Sequence, residues 1–335
     1  MEPCKHCGTF APIPATGYIL VDTSECKWKN ADKIETTNKT MLKFPFHSRE
    51  DLIHMLDIWK ENESFHQTVQ ILNEYNTPSL PIRLQHLWER LKYPLFTEII
   101  QESAFTSYLQ PIVNLQKESI FGYEALLRTD NKNVSPAELF SFAQRAGLHS
   151  MLDQKAREEA VKKKAAYIPA GQKCFINFLP STIYVPEYCL QHTFHIINQY
   201  HVDPADLVFE VVETEEITNI KHLKNILEVY QQSGMHVALD DVGSGYSTLD
   251  VLQLLTPDIV KIDRDYIRNC HESEQNQAFL KQIIQTTKQL DLLLLAEGIE
   301  TREEYEWLQQ AGIDYGQGYY IGKPSPKPVH KFIHS

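Results

Sequence analysis

Acids and amides recur where apolar runs come to an end. Glu124 interrupts FGYEALLR, Asn177 sits in KCFINF, and Glu210 lies in LVFEVVE with Glu213 three residues on. The pair Asp240–Asp241 closes HVALDDV, and DIVKID supplies Lys261 and Asp263. LLLLAEGIE carries Glu297 and Glu300, and YGQGYYIG carries Gln317. Ionised groups inside apolar strands are costly to desolvate, and acids gathered at equivalent places repel one another. Divalent cations remove both problems. An all-oxygen donor set with one amide suits Mg²⁺ or Mn²⁺ better than zinc. The acids suffice for two ions, with a carboxylate such as Asp240 able to bridge them. Two cations a few Å apart are the usual device for in-line phosphoryl displacement, holding the attacking and the leaving oxygen together.

The elements that must position these groups follow from the spacing. Eight short apolar runs, beginning with SYLQPIV and ending with YGQGYYIG, read as strands. Amphipathic segments lie between most of them: PAELFSFAQRAGL, LDQKAREEAVKKKAA, NIKHLKNILEVYQQSG, NQAFLKQIIQTTKQL and REEYEWLQQAG. Gly147, Gly234 and Gly312 each fall just after such a segment, where a helix end favours a residue tolerant of positive φ. Strands alternating with helices over about 230 to 250 residues predict an α/β chain folded as a β/α barrel, with an open doubly wound sheet as the structural alternative. In a barrel the strand C-termini converge on one face, where catalytic groups collect.

Bulk properties narrow the partners. The 335 residues, 42% hydrophobic and 23% charged, are enough for a sizeable core. A formal net charge of -12 argues against long nucleic acid or an anionic membrane as the main partner. No apolar run approaches the roughly 20 residues needed for a membrane span. The start does not read as a secretion signal, and six sparse cysteines do not form a disulfide framework, so the expected home is the cytoplasm.

Taken in order, EALLR, the two glutamates of EVVE, DDVGSGYS, KID, AEGIE and QGYY resemble an EAL-type cyclic di-GMP phosphodiesterase over residues 95–335. The resemblance implies a modified (β/α)₈ barrel of the TIM type whose first strand runs against the others. It also implies hydrolysis of one phosphodiester of cyclic di-GMP to linear pGpG. Carried over by position, Glu124, Asn177, Glu210 and Asp240 match the ligands of one cation, and Asp240, Asp241 and Glu297 those around a second. Lys261 matches the lysine near the attacking water. Arg128 matches the arginine that holds a substrate phosphate. Glu213 resembles the glutamate bracing the loop DVGSGYSTL. Gln110, Asp263, Gln317 and Glu300 fall on the substrate side, although a buried capping role for Gln110 reads equally well. Val242 stands where the family motif has Phe. The resemblance further implies a homodimer.

A boundary is expected at NTPSLPIR, dividing a small helical and irregular module over residues 1–80 from a linker or helix over 81–94 and the barrel over 95–335. CKHCGT in the module offers Cys4 and Cys7, with Cys26 nearby, as half of a structural zinc site, as redox thiols or as ordinary reduced thiols. The module reads as regulatory or oligomeric, with a protein partner as one use. The function expected is therefore a metal-dependent hydrolase. The rival is a receptor that binds cyclic di-GMP without cleaving it and signals through the N-terminal module.

Overall fold

The computed structural model describes residues 13–22, 32–35, 40–60, 63–73, 77–211, 220–243 and 249–329. The chain divides into two compact units, one formed by residues up to Phe105 with Thr129–Leu152, the other by Thr106–Arg128 with Asp153 onward.

In the first unit five strands form an antiparallel sheet. They are β1 (Gly17–Asp22), β2 (Asp32–Glu35), β3 (Thr40–Phe46), β4 (Thr68–Leu72) and β5 (Ile82–Arg83), in the order β2-β3-β1-β4-β5. Alternation sends Ile19 and Val21 of β1 to one face, where they meet Val69 and Ile71 of β4 and Phe46 of β3. Leu52, Leu56 and Trp59, on the helix Arg49–Trp59, and Leu84, Leu87, Trp88 and Leu91, on the helix Leu84–Lys92, close that core. The sequence pattern of a helical and irregular module needs amending here. The spacing of REDLIHMLDIW does give a helix at Arg49–Trp59, but the apolar run that follows becomes β4, because β1 offers it an unpaired edge.

In the second unit eight strands close into a barrel: β6 (Phe105–Asn114), β7 (Ser119–Thr129), β8 (Lys173–Phe178), β9 (Leu207–Val211), β10 (His236–Val242), β11 (Ile259–Ile262), β12 (Leu293–Ala296) and β13 (Tyr315–Gln317). Closure decides against the open sheet. From β7 to β13 the neighbours that pair are parallel, while β6 lies antiparallel to β13, so the first barrel strand runs against the rest. The five amphipathic segments are helices at Pro136–Arg145, His149–Tyr167, Ile220–Gln232, Glu274–Gln289 and Arg302–Ala311. Ser135 and Thr301 open two of them with reciprocal capping boxes to Glu138 and Glu304. Gly312 closes the last at φ 87°, and Gly147 and Gly234 also have positive φ, as their positions suggested. Among the described residues no helix is long and apolar enough to cross a membrane.

Candidate active site

The barrel interior is built in tiers. Ile112, Phe175, Val208, Ala238, Ile259, Leu295 and Tyr315 pack as one apolar cluster. Side chains of a strand alternate between faces, so the residue two places on points the same way. Two places beyond that cluster stand Asn177, Glu210, Asp240, Lys261, Glu297 and Gln317. On the reversed β6 the count runs backwards, and the residue two before Ile112 is Gln110. Glu124 joins the tier from β7. A polar ring therefore sits on an apolar plug, and on β7 Phe121 packs against the plug while Glu124 stands three places on.

Amide and ammonium donors hold the ring. Asn177 Nδ2 donates to Glu124 Oε1 at 2.9 Å, and Gln317 Nε2 donates to Glu124 Oε2 at 2.7 Å. Lys261, 1% exposed, puts its Nζ 3.2 Å from Glu210, 3.0 Å from Asp240 and 2.5 Å from Glu297. Three carboxylates, those of Glu210, Asp240 and Glu297, thus share one buried ammonium, whose charge also acts on Glu124 and Asp241. Both Glu210 oxygens and Gln317 Oε1 are buried without a hydrogen-bond partner, the lysine touching Glu210 only as an ion pair.

The electrostatics follow from burial and crowding. Desolvation pushes the Glu210 pKa well up, and Glu124, Asp240 and Glu297 push it further against the pull of Lys261. Glu297 is raised to about 8, first by burial, then by Asp240 and Glu124, with Lys261 opposing. Asp241 rises to about 6 through burial and the charges of Asp240 and Asp263. Glu124 goes the other way. Burial acts to raise it, but Lys261 and the amides of Gln317 and Asn177 outweigh that and lower its pKa. Lys261 is favoured as the cation, since Asp240, Glu124, Glu210 and Glu297 overcome the burial that would lower its pKa.

Asp240 and Asp241 reach the site through an irregularity. Leu239 pairs with Val260 and Val242 with Ile262, so two residues of β10 stand against one of β11. Asp241 takes φ 54° there, a left-handed conformation that aspartate accepts better than most residues. Its backbone N–H donates to Asp240 Oδ1 at 3.0 Å. Ligand oxygens of Asp240, Asp241 and Glu297 all come within 4.8 Å of one another.

The remaining sequence candidates lie around this centre. Gln110 is buried, and its Nε2 donates to Gly322 O at 3.3 Å. Arg128 lays its guanidinium 5.7 Å from the Tyr108 ring centroid and donates to Leu127 O, and no ion pair joins it to Glu124 among the described residues. Asp263 caps the short helix Arg264–Ile267 by accepting from Asp265 N. Glu300 is exposed and faces Arg264 at 3.5 Å. A cleft of about 220 Å³ joins Gln110, Glu124, Glu297, Glu300 and Gln317 with Arg264 and Tyr319. Glu213, Cys4, Cys7 and Cys26 lie outside the described residues.

Two contributors escaped the sequence reading. Gly318 packs so closely on Ile299 that a Cβ would fall 2.1–2.6 Å from its backbone atoms. Glu304, 2% exposed, accepts from Asn269 N with one oxygen and from Glu300 N and Thr301 N with the other, tying the turn after β12 to the chain after β11. The capping-box spacing Thr301-x-x-Glu304 was the available signal for the second.

Comparison with known proteins points the same way. Residues 95–324 match the EAL domain family. Probable cyclic di-GMP phosphodiesterase PdeB of Escherichia coli (strain K12) is 33% identical over 234 residues, covering 69% of this chain and 44% of PdeB. The chain thus spans less than half the length of that relative. A standalone versatile EAL protein from Vibrio cholerae O395, solved in a c-di-GMP bound form, superposes with a TM-score of 0.62 at 36% identity, covering 69% of this chain and 98% of that one. The PaMucR phosphodiesterase in its c-di-GMP complex gives 0.62 at 25% identity, covering 72% and 98%.

Proposed function

From the premise that this chain belongs to the EAL domain family, we propose that it hydrolyses one phosphodiester of cyclic di-GMP to linear pGpG, using two divalent cations. The observation that carries the reading is the surplus of buried carboxylate over cation: Asp240, Asp241 and Glu297 clustered within 4.8 Å, and Glu210 with two unpartnered oxygens. An all-oxygen set with unsatisfied acceptors fits Mg²⁺ or Mn²⁺. Glu124, Asn177, Glu210 and Asp240 would hold one ion, and Asp240, Asp241 and Glu297 the other. When bound, the cations supply Lewis-acid stabilisation of the phosphoryl oxygens and lower the pKa of water.

The chain's own residues do the rest. Asn177 and Gln317 fix both oxygens of Glu124, so the carboxylate is preset in position and in its ionised form. Lys261 stays protonated among its acids, which makes it a positioning group for water and a stabiliser of developing charge, and a poor base. Arg128 offers its fork to a substrate phosphate, oriented by the Tyr108 ring. Gln110 and Glu300 line the ligand cleft, and Glu213 braces the loop that follows Asp241. The N-terminal module over residues 1–80 serves regulation or assembly, with homodimer formation part of the same reading.

The test is chromatography of cyclic di-GMP incubated with the purified chain, with Mg²⁺ or Mn²⁺ and again with excess chelator. Cation-dependent appearance of pGpG is the expected result. Binding without product under either metal would overturn the hydrolase reading in favour of the receptor.

A further inference from the structure

Asn177 stands where the barrel ladder gives out. On one side β8 pairs with β7 as far as Ile176, and on the other with β9 as far as Phe178. Leu179 N is the first backbone donor past that ladder. Whatever accepts from it sets the end of the strand on which Asn177 depends.

The acceptor is a buried carboxylate. Asp153, 2% exposed on the helix His149–Tyr167, accepts from Leu179 N at 3.1 Å with Oδ1 and from Thr182 Oγ1 at 2.8 Å with Oδ2. Both oxygens thus grip one turn, which also closes on itself as Thr182 N donates to Leu179 O at 3.0 Å. Arg157, equally buried, places Nη2 2.9 Å from Asp153 Oδ2. Its Nη1 donates to Thr193 Oγ1 at 2.7 Å and to Tyr230 OH at 3.4 Å. Tyr230 leads back to the strand, its ring centroid 5.3 Å from that of Phe178. A buried ion pair adds little net stability over an apolar pair of the same volume. What this pair adds is direction: an ionised acceptor aimed at the chain two residues past Asn177.

We infer that Asp153, held by Arg157, is a positioning residue for Asn177. By fixing the turn after β8 it lets the Asn177 amide keep Glu124 in place, 2.9 Å away, and leaves the amide oxygen for a cation. The inference rests on the function proposed above and adds a support outside the ligand set. Removing a group that orients a metal ligand weakens metal binding by about 10- to 100-fold.

The experiment compares two double variants with the wild-type chain, so that no buried charge is left alone. Asp153→Leu/Arg157→Met removes both charges and both bonds to the turn. Asp153→Asn/Arg157→Met removes the charges but keeps an oxygen for Leu179 N and an amide for Thr182 Oγ1. Mn²⁺ binding is measured by calorimetry without substrate, and hydrogen exchange across residues 177–183 by mass spectrometry in chelator. The leucine double should exchange faster there and should raise the dissociation constant of one Mn²⁺ site by about 10- to 100-fold. The asparagine double should recover most of both. Thr182→Val cuts one bond to the turn with the ion pair intact and should weaken the same site to a smaller degree. It decides the question if the leucine double does not unfold cooperatively. Wild-type Mn²⁺ affinity in the leucine double, or in Thr182→Val where that double does not fold, overturns the positioning role and leaves the hydrolase standing. Faster exchange alone would then mark Asp153 as a structural residue. An equal loss of affinity in the asparagine double also overturns the role, since charge alone would account for it. A wild-type chain that binds no Mn²⁺ overturns both.

Discussion

Replacing Lys261 with methionine deletes the ammonium buried among the acids of the barrel centre and keeps much of its stem. In the wild type that ammonium lies 2.5–3.2 Å from Glu297, Asp240 and Glu210. Removing one partner of a buried ion pair costs about 3–5 kcal/mol, because the charge left behind is uncompensated. The pH decides how much of that loss is seen. For a carboxylate whose folded-state pKa is raised, stability is greatest below the unfolded value and declines as the pH climbs toward the folded one. Glu297 spans 4.5 to about 8, which corresponds to roughly 5 kcal/mol once pH 8 is passed. Glu210 moves in the same direction. Without Lys261, Glu124 would lose the largest of the interactions that lower its pKa and would become a raised carboxylate as well, so the gap to wild type should be smallest near pH 5 and widen as the pH rises. The variant should fall short by about 3–5 kcal/mol at pH 8. With about 2–4 °C per kcal/mol for a domain of this size, Tm should drop by roughly 6–20 °C at pH 8. The assay is thermal unfolding followed by circular dichroism in chelator, from pH 5 to pH 8.5. A Tm gap that does not change with pH, or one under about 2 °C at pH 8, would refute the account of Lys261 as compensator of buried charge.

Other expectations follow from single contacts. Asp240→Asn should cut turnover by at least about 100-fold while the unfolding transition remains cooperative, since the change is isosteric and removes the charge proposed to serve both cations; near-normal hydrolysis by the purified variant would sink the two-cation assignment. Gly318→Ala drives a Cβ into the Ile299 backbone, and should destabilise the chain by about 1–3 kcal/mol in urea titration. Glu304→Ala strands three backbone N–H donors and should lower stability by about 2–3 kcal/mol, with kcat/KM falling as the turn carrying Glu297 and Glu300 loosens. Unchanged kinetics in that variant would reduce Glu304 to a helix cap.

The polar tier was legible in the sequence because strand alternation is a rule of period two, and Asn177, Glu210, Lys261 and Gln317 obey it. The alternation of strands and helices pointed to a barrel but left an open sheet as the alternative, since periodicity does not distinguish the two, and the reversed β6 was implied only by resemblance to the EAL family. The N-terminal sheet was missed for a physical reason. TVQIL follows a helical pattern with no glycine or proline between, and its partner β1 lies far back in the chain. Asp263 caps the helix Arg264–Ile267 and also acts on Asp241, a capping role set by backbone geometry that strand-end position does not carry. Nothing in the sequence distinguishes Tyr319 from its neighbours Tyr315 and Tyr320. Exposure separates it from them, and exposure depends on where Phe121 and Tyr305 end up.

The extra residue in β10 has a meaning for anyone who would rebuild this centre elsewhere. In a barrel idealised to strict alternation, consecutive residues face opposite sides, so one of the two aspartates would turn away from the other acids. Grafting the side chains onto a regular scaffold would therefore lose a carboxylate from the cluster however faithfully their identities were copied. The defect in the strand is part of the blueprint, and Asp241's left-handed φ must be transplanted with its carboxylate.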